Sequence, residues 1–130
     1  MTSYLLDTNA FLMALTDDPR LPDRARVRMR ETDRLAVSVI SLCEIGLKVR
    51  LGKWPEMAAH VESLEGRASS DGYDLIPLTA AACLDASMLD WDHHDPFDRM
   101  IAAVARQETL PVISSDQAFD RIGIERHWTA

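Results

Sequence analysis

Four acids stand at the ends of predicted strands or one turn into predicted helices. Asp7 follows Tyr4-Leu5-Leu6, Glu44 follows Ser41-Leu42-Cys43, Asp98 lies inside Asp95-Pro96-Phe97-Asp98-Arg99, and Asp116 follows Ile113-Ser114-Ser115. Carboxylates gathered in one place repel one another and raise some of their own pKa values unless a cation neutralises them. Oxygen ligands without cysteine or paired histidine favour Mg²⁺ or Mn²⁺ over Zn²⁺. A cation so held lowers the pKa of a bound water, polarises a phosphoryl oxygen and steadies a leaving oxygen, and two of them ~3.5–4 Å apart serve both sides of an in-line displacement. That is phosphodiester chemistry, provided the fold brings the four acids together.

The elements predicted around these acids would do so. Tyr4, Leu5 and Leu6 read as a strand buried on both faces, and Asn9 as the N-cap of a helix carrying Phe11, Leu12 and Leu15. Leu21-Pro22-Asp23 opens a second helix bearing Arg24, Arg26, Arg28 and Arg30, either a solvated face with Val27 and Met29 toward the core or a basic rim for a phosphate backbone or an acidic partner. Leu35 to Ile40 is the next strand, and Ser41-Leu42-Cys43-Glu44 fits a capping box for a helix that runs to about Leu51 and stops at Gly52. Pro55 opens a helix with Met57, Val61, Leu64 and Ala68 at helical spacing, a stripe that reads as core or as the lining of a partner groove.

Tyr73 to Leu78 is a third strand, and Thr79 caps an Ala-rich helix over 80–90 with Cys83, Leu84, Ser87 and Met88 expected inside. Asp95 and Pro96 suit the start of a helix whose apolar stripe is Phe97, Met100, Ile101, Val104 and Ala105. Pro111-Val112-Ile113 is a fourth strand, followed by a short helix with Phe119 and an edge strand between Ile124 and Trp128. Strands alternating with helices in this way give an α/β fold with a central, mainly parallel sheet covered on both faces. In such a sheet ligands bind at the carboxyl ends of the strands, where the four acids would fall.

At 130 residues the chain is expected to form one domain spanning 1–130, and its 47% hydrophobic and 27% charged content is that of a globular protein. There is no basic n-region and no apolar run near the ~20 residues needed to cross a bilayer, so a cytoplasmic protein is expected. Cys43 and Cys83 have neither CxxC nor disulfide-framework spacing and read as free thiols. A net charge of −7 excludes nucleic-acid binding by bulk attraction, leaving either no such substrate or one met through bound cations and local basic patches.

Each acid also has a structural reading: Asp7 as a turn residue, Glu44 as the partner of Ser41 or of Lys48, Asp98 as a helix N-terminal acid and Asp116 as an N-cap. Four such coincidences at one sheet edge are much less probable than one site. The motifs Leu-Leu-Asp-Thr-Asn at 5–9, Ser-x-x-Glu at 41–44, His-Asp-Pro-Phe-Asp-Arg at 94–99 and Ser-Ser-Asp at 114–116, in this order, resemble the PIN-domain ribonucleases, and most of all the VapC-type toxins of bacterial toxin–antitoxin pairs. The resemblance implies a three-layer α/β/α fold and Mg²⁺- or Mn²⁺-dependent RNA cleavage by a metal-activated water, with Asp7, Glu44, Asp98 and Asp116 as the catalytic, metal-binding acids. It also implies that Asn9 and Ser114 support the site, Ser114 standing where Thr is more usual, and that Asp95 is either an accessory acid or a plain N-cap. It further implies a VapB-like antitoxin whose tail lies in a groove between helices with a basic side chain near the acids, and a homodimer.

Arg99 is a candidate for a substrate phosphate or for a nearby acid. His93 and His94 are adjacent and cannot easily share a metal, so they read as loop residues or as RNA contacts near the site. Trp54, Trp91 and Trp128 lack the basic interleaving of a base-stacking surface and read as core or interface. Two rival chemistries fail on the sequence. A haloacid-dehalogenase phosphatase needs a second Asp where Asn9 stands, and a response-regulator receiver needs an acid pair on the first strand and a Lys ending a late one. A non-catalytic binding module on the same fold is the alternative that stays open.

Overall fold

The structure, a computed structural model, describes residues 2–129. Its strands are β1 (Ser3–Leu6), β2 (Arg34–Ser38), β3 (Asp74–Ile76), β4 (Val112–Ile113) and β5 (Arg126–His127). They form one sheet in the order β3-β2-β1-β4-β5, and every neighbouring pair is parallel. The helices are α1 (Thr8–Leu15), α2 (Asp23–Glu31), α3 (Val39–Arg50), α4 (Leu64–Ser70), α5 (Ala80–Met88) and α6 (Pro96–Glu108), with 3₁₀ segments at Pro55–Ser63 and Gln117–Ile122.

Alternation along the central strands explains the three layers. Tyr4, Leu6, Val37 and Ile113 pack with α1 to α4 on one face, whereas Leu5, Ala36 and Val112 pack with α5, α6 and Phe119 on the other. The chain builds outward from β1 through β2 to β3 and then crosses back to β4 and β5. Right-handed crossovers running in opposite directions put their helices on opposite faces, so the reversal falls between β1 and β4. At that point the loops after the two strands diverge and leave a crevice at their carboxyl ends. Asp7 N–H donates to the Ile113 carbonyl at 3.2 Å, which sets the ends of β1 and β4 level.

Three local expectations need correction. Asn9 is not a cap: α1 begins at Thr8, and the Asp7 side chain accepts from Ala10 N–H at 2.9 Å. The capping box at Ser41 does not form either. β2 ends at Ser38, whose hydroxyl accepts from Ile40 N–H, so Val39 and Ile40 are helical and Ser41 lies inside α3. Ser41 Oγ instead accepts a buried hydrogen bond of 2.9 Å from the Thr8 hydroxyl, joining the first turns of α1 and α3. The face of α5 is also inverted: Ala82 and Ala86 are buried, while Cys83 is exposed and Leu84 and Met88 are 69% and 81% exposed. Alanines let α5 lie close against α6, whose Ala102 and Ala105 belong to the same core, and the longer side chains are left outside.

Elsewhere the elements fall near where the sequence puts them, with β3 shortened from 73–78 to Asp74–Ile76, α5 ending at Met88 and the segment with Phe119 forming a 3₁₀ helix. Thr79 caps α5, Asp95 caps α6 with Pro96 in its first turn, and Gly52 follows α3 with φ +77°, a conformation that glycine adopts without steric cost. Within the stripe after Pro55, Met57, Leu64 and Ala68 are core, though the first half is 3₁₀ rather than α. Cys43 and Cys83 are free and exposed. Trp91 is buried, and Trp54 and Trp128 pack partly buried on the α1-to-α4 core. Among the described residues no helix is long and apolar enough to cross a membrane.

Candidate metal centre

The carboxyl ends of β1 and β4 meet through one hydroxyl. Ser114 follows β4 and is fully buried; its Oγ donates to Asp7 Oδ2 and accepts from Asp116 N–H at 2.9 Å. A single side chain thereby spaces two acids on adjoining strands. Asp116 Oδ1 in turn accepts from Ala118 N–H at 2.9 Å and opens the 3₁₀ segment Gln117–Ile122, leaving Oδ2 turned to the crevice. Asp98 comes from the opposite side, in the first turn of α6, where the backbone is held by Asp95 Oδ1 accepting from Phe97 and Asp98 N–H.

Glu44 reaches the same place from α3. It is 4% exposed, and its Oε2 is held by Lys48 Nζ at 2.7 Å, a lysine that also sits over the Trp54 ring at 4.6 Å. The other oxygen, Oε1, is buried with no hydrogen-bond partner among the described residues. An ionised oxygen left bare inside a protein is costly, and a cation is the partner that removes the cost.

The acids feel one another. Burial pushes the Asp7 carboxyl up to about 7 against the opposing pull of its Ser114 and Ala10 donors, and the charges of Asp98 and Asp116 push it further the same way. Asp98 is also raised, first by burial and then by Asp95 and Glu44, with the His93 hydrogen bond pulling it back. Carboxyl groups held above their ordinary range in a crevice are poised to exchange a proton for a divalent ion. The residues therefore fit Mg²⁺ or Mn²⁺: hard oxygens, mutual repulsion and one oxygen without a partner.

Of the four acids expected from the sequence, Asp98 and Asp116 come within ligand reach of one another; Asp7 feels the charge of both and Asp98 that of Glu44, which sits in the second turn of α3 rather than the first. Asp95 is the cap of α6 and acts on Asp98 through its charge. Asn9 is exposed on α1 and lines a groove of about 230 Å³ with Leu12, Met13, Thr16, Trp54 and Met57. Arg99 touches no acid: its guanidinium donates to the carbonyls of Ala86, Leu89, Trp91 and His93 at 2.6–3.0 Å. Those four bonds use its donors on the end of α5 and the loop before α6, which makes it a clamp on that loop instead of a phosphate ligand.

The residue that sequence reasoning missed is His93. Its Nε2 lies 2.7 Å from Asp98 Oδ2 and 3.8 Å from Asp116 Oδ2. His93, Asp98 and Asp116 each offer one ligand atom within 4.8 Å of the others. Its exposed neighbour His94 does not share this position. On the arginine-rich helix, Arg26 binds Asp17 at 2.7 Å and Arg28 binds the Tyr4 hydroxyl at 3.2 Å, so half of the expected rim serves the fold.

A sheet of this topology, reversed at an acid-lined crevice, defines a class of protein. The profile of the PIN domain matches residues 4–125, and the chain belongs to that family. No curated protein sequence matches it closely enough to count as a relative. Among solved structures it is similar to VapBC2 from Rickettsia felis bound to a promoter DNA fragment, with TM-score 0.70 and 21% identity over 98% of this chain and 99% of that one. FitAcB from Neisseria gonorrhoeae is similar at TM-score 0.67 and 20% identity, covering 95% of each chain. So is VapC20 of Mycobacterium tuberculosis, a toxin that cleaves the sarcin–ricin loop, at TM-score 0.65 and 17% identity over 93% and 95% of the two chains.

Proposed function

We propose that the chain is a VapC-type toxin, a metal-dependent endoribonuclease that a cognate antitoxin holds in check. The observation that carries this is the meeting of Asp7, Glu44, Asp98 and Asp116 at the reversal of the sheet, with Glu44 Oε1 buried and bare. Asp98 and Asp116 offer oxygens at the mouth of the crevice, Asp7 and Glu44 supply charge from behind, and Ser114 fixes the spacing of Asp7 from Asp116. Asn9, exposed on α1 at the groove, would be a supporting polar group. A bound Mg²⁺ or Mn²⁺ would supply there an acidified water and compensation for charge on a phosphodiester. With a net charge of −7, the protein needs that positive charge to bring an RNA backbone to the acids at all.

The partners follow from the same surface. The groove between α1 and the 3₁₀ segment Pro55–Ser63 is lined by apolar Leu12, Met13, Trp54 and Met57, with Asn9, Glu56 and the Asp18–Arg20 ion pair among its polar residues. It suits a short amphipathic stretch of a VapB-like antitoxin with basic side chains, one of which would reach the acids. The outward face of α5, with Cys83, Leu84 and Met88, suits a second copy of the chain, and the assembly would act in the cytoplasm where RNA and antitoxin meet.

The test is cleavage of a pool of structured RNAs by antitoxin-free protein, with Mg²⁺ or Mn²⁺ and with chelator, beside an Asp7→Asn/Asp98→Asn variant. Metal-dependent cutting by the wild type, lost in the variant, is the expected result. Folded protein that neither cuts nor binds a divalent ion would overturn this function and leave a binding module built on the same fold.

A further inference from the structure

His93 belongs to a loop that is built from behind. Arg99 Nη1 donates to the His93 carbonyl at 3.0 Å and to the Trp91 carbonyl at 2.9 Å, while Nη2 donates to the Leu89 carbonyl at 2.6 Å. The imidazole lies against the Trp91 ring, 4.8 Å between centroids. Trp91 is fixed in turn by its indole N–H donating to the Ala118 carbonyl at 3.2 Å and by contact with Phe119. The backbone and the ring face of His93 are thus both held, and the ring edge is turned to the acids, Nε2 being hydrogen-bonded to Asp98 Oδ2. That edge presents Nε2 to Asp98 and Asp116.

We propose that His93 Nε2 is a ligand of the divalent cation at this centre, sharing it with Asp98 and Asp116. The assignment rests on the metal-dependent reading of the acidic crevice and adds to it a nitrogen donor. Ligands about 2.1 Å from one ion stand roughly 3–4 Å apart, so the 2.7 and 3.8 Å spacings need shifts of only a few tenths of an ångström on that pair of edges. The independent sign that a cation belongs here is Glu44 Oε1, buried without a partner on an acid whose charge acts on Asp98. Adjacency of two histidines, which argues against a shared metal, has no force when only His93 faces the acids and His94 is exposed. An imidazole in the ligand set shifts preference from Mg²⁺, which takes oxygen and water, toward Mn²⁺.

Pulsed electron paramagnetic resonance of the Mn²⁺-loaded full chain reads the bond directly, through coupling of the ion to a ligated ¹⁴N. Calorimetric titrations with Mn²⁺ and with Mg²⁺ accompany it, on the wild type and on His93→Ala, His93→Gln and His94→Ala, each checked for folding by thermal unfolding. The nitrogen coupling is expected in the wild type and in His94→Ala and is expected to vanish in both His93 variants. Their Mn²⁺ affinity should fall by about 10- to 100-fold, the range that loss of even a supporting contact to a ligand produces, and their Mg²⁺ affinity by less. Tight Mn²⁺ binding without nitrogen coupling in the wild type overturns the ligand assignment and leaves the nuclease reading standing. A wild type that binds neither ion overturns both.

Discussion

Asp7 carries opposite demands in one side chain. Its burial raises the carboxyl from 3.8 to about 7, so the folded protein without metal holds a proton that the unfolded chain gives up. Stability from this group is complete below about pH 4 and is lost as the pH rises to about 7, a change on the order of a few kcal/mol, and Asp98 acts in the same direction. In chelator, urea unfolding of the wild type should therefore show falling stability from pH 5 to pH 8. Asp7→Asn, whose side chain does not ionise, should flatten that slope and be the more stable protein at pH 8; parallel slopes in the two would remove Asp7 as its source. A divalent ion reverses the balance by taking the proton's place, so its affinity should rise with pH up to about 7 in calorimetry. At this scale the acids were legible because each stands at the end of a strand or in the first turns of a helix with an apolar stripe, a mark that sequence carries. His93 was not, because its neighbour is also a histidine and only the clamp on the loop decides which of the two turns inward.

That clamp is a property of an element, the loop between α5 and α6. Arg99 holds three of its carbonyls, those of Leu89, Trp91 and His93, and that of Ala86 in α5, from one turn inside α6. Charged donors to carbonyls that would otherwise lack partners are worth more than an exposed ion pair, so Arg99→Ala should cost about 2–4 kcal/mol, read as a lowered thermal midpoint. Arg99→Lys should restore little, since one ammonium cannot reach four carbonyls. Both should weaken Mn²⁺ binding through His93 while leaving the four acids in place; a variant as stable as the wild type would show that the loop is held by Trp91 instead. The cap of α3 shows why element boundaries were only partly readable. Ser38 and Ser41 both resemble caps, and Val39-Ile40 favours strand by residue type, yet placing Ile40 in the core under the sheet requires the turn to begin at Ser38. In α5 the rule that large apolar side chains point inward failed because the close approach of α6 leaves room only for alanine.

Over the whole molecule, the parallel sheet and its two-faced core follow from the alternation of strands and helices, which the sequence displays plainly, whereas the strand order β3-β2-β1-β4-β5 does not. The outer surface does not follow, because a solvent-facing residue and a partner-facing one obey the same local pattern until neighbours are in place. Leu84 and Met88 on α5 are the clearest instance. Sedimentation of the antitoxin-free protein should give a dimer, and Leu84→Glu/Met88→Glu should give a monomer with stability within about 0.5 kcal/mol of the wild type, since neither side chain is packed within the chain. A monomeric wild type would dismiss α5 as the contact.

The reversal between β1 and β4 has a bearing on how such a chain is made. Asp7 leaves the ribosome well before the hydroxyl that holds it, which belongs to Ser114, 107 positions later. No earlier portion can close the crevice, because β4 must first slide in beside β1 and bring Asp116 with it. Contacts so distant along the chain form late in folding. While those 107 residues are being added, a nascent copy lacks the closed crevice, and any chemistry housed there waits for β4 to arrive.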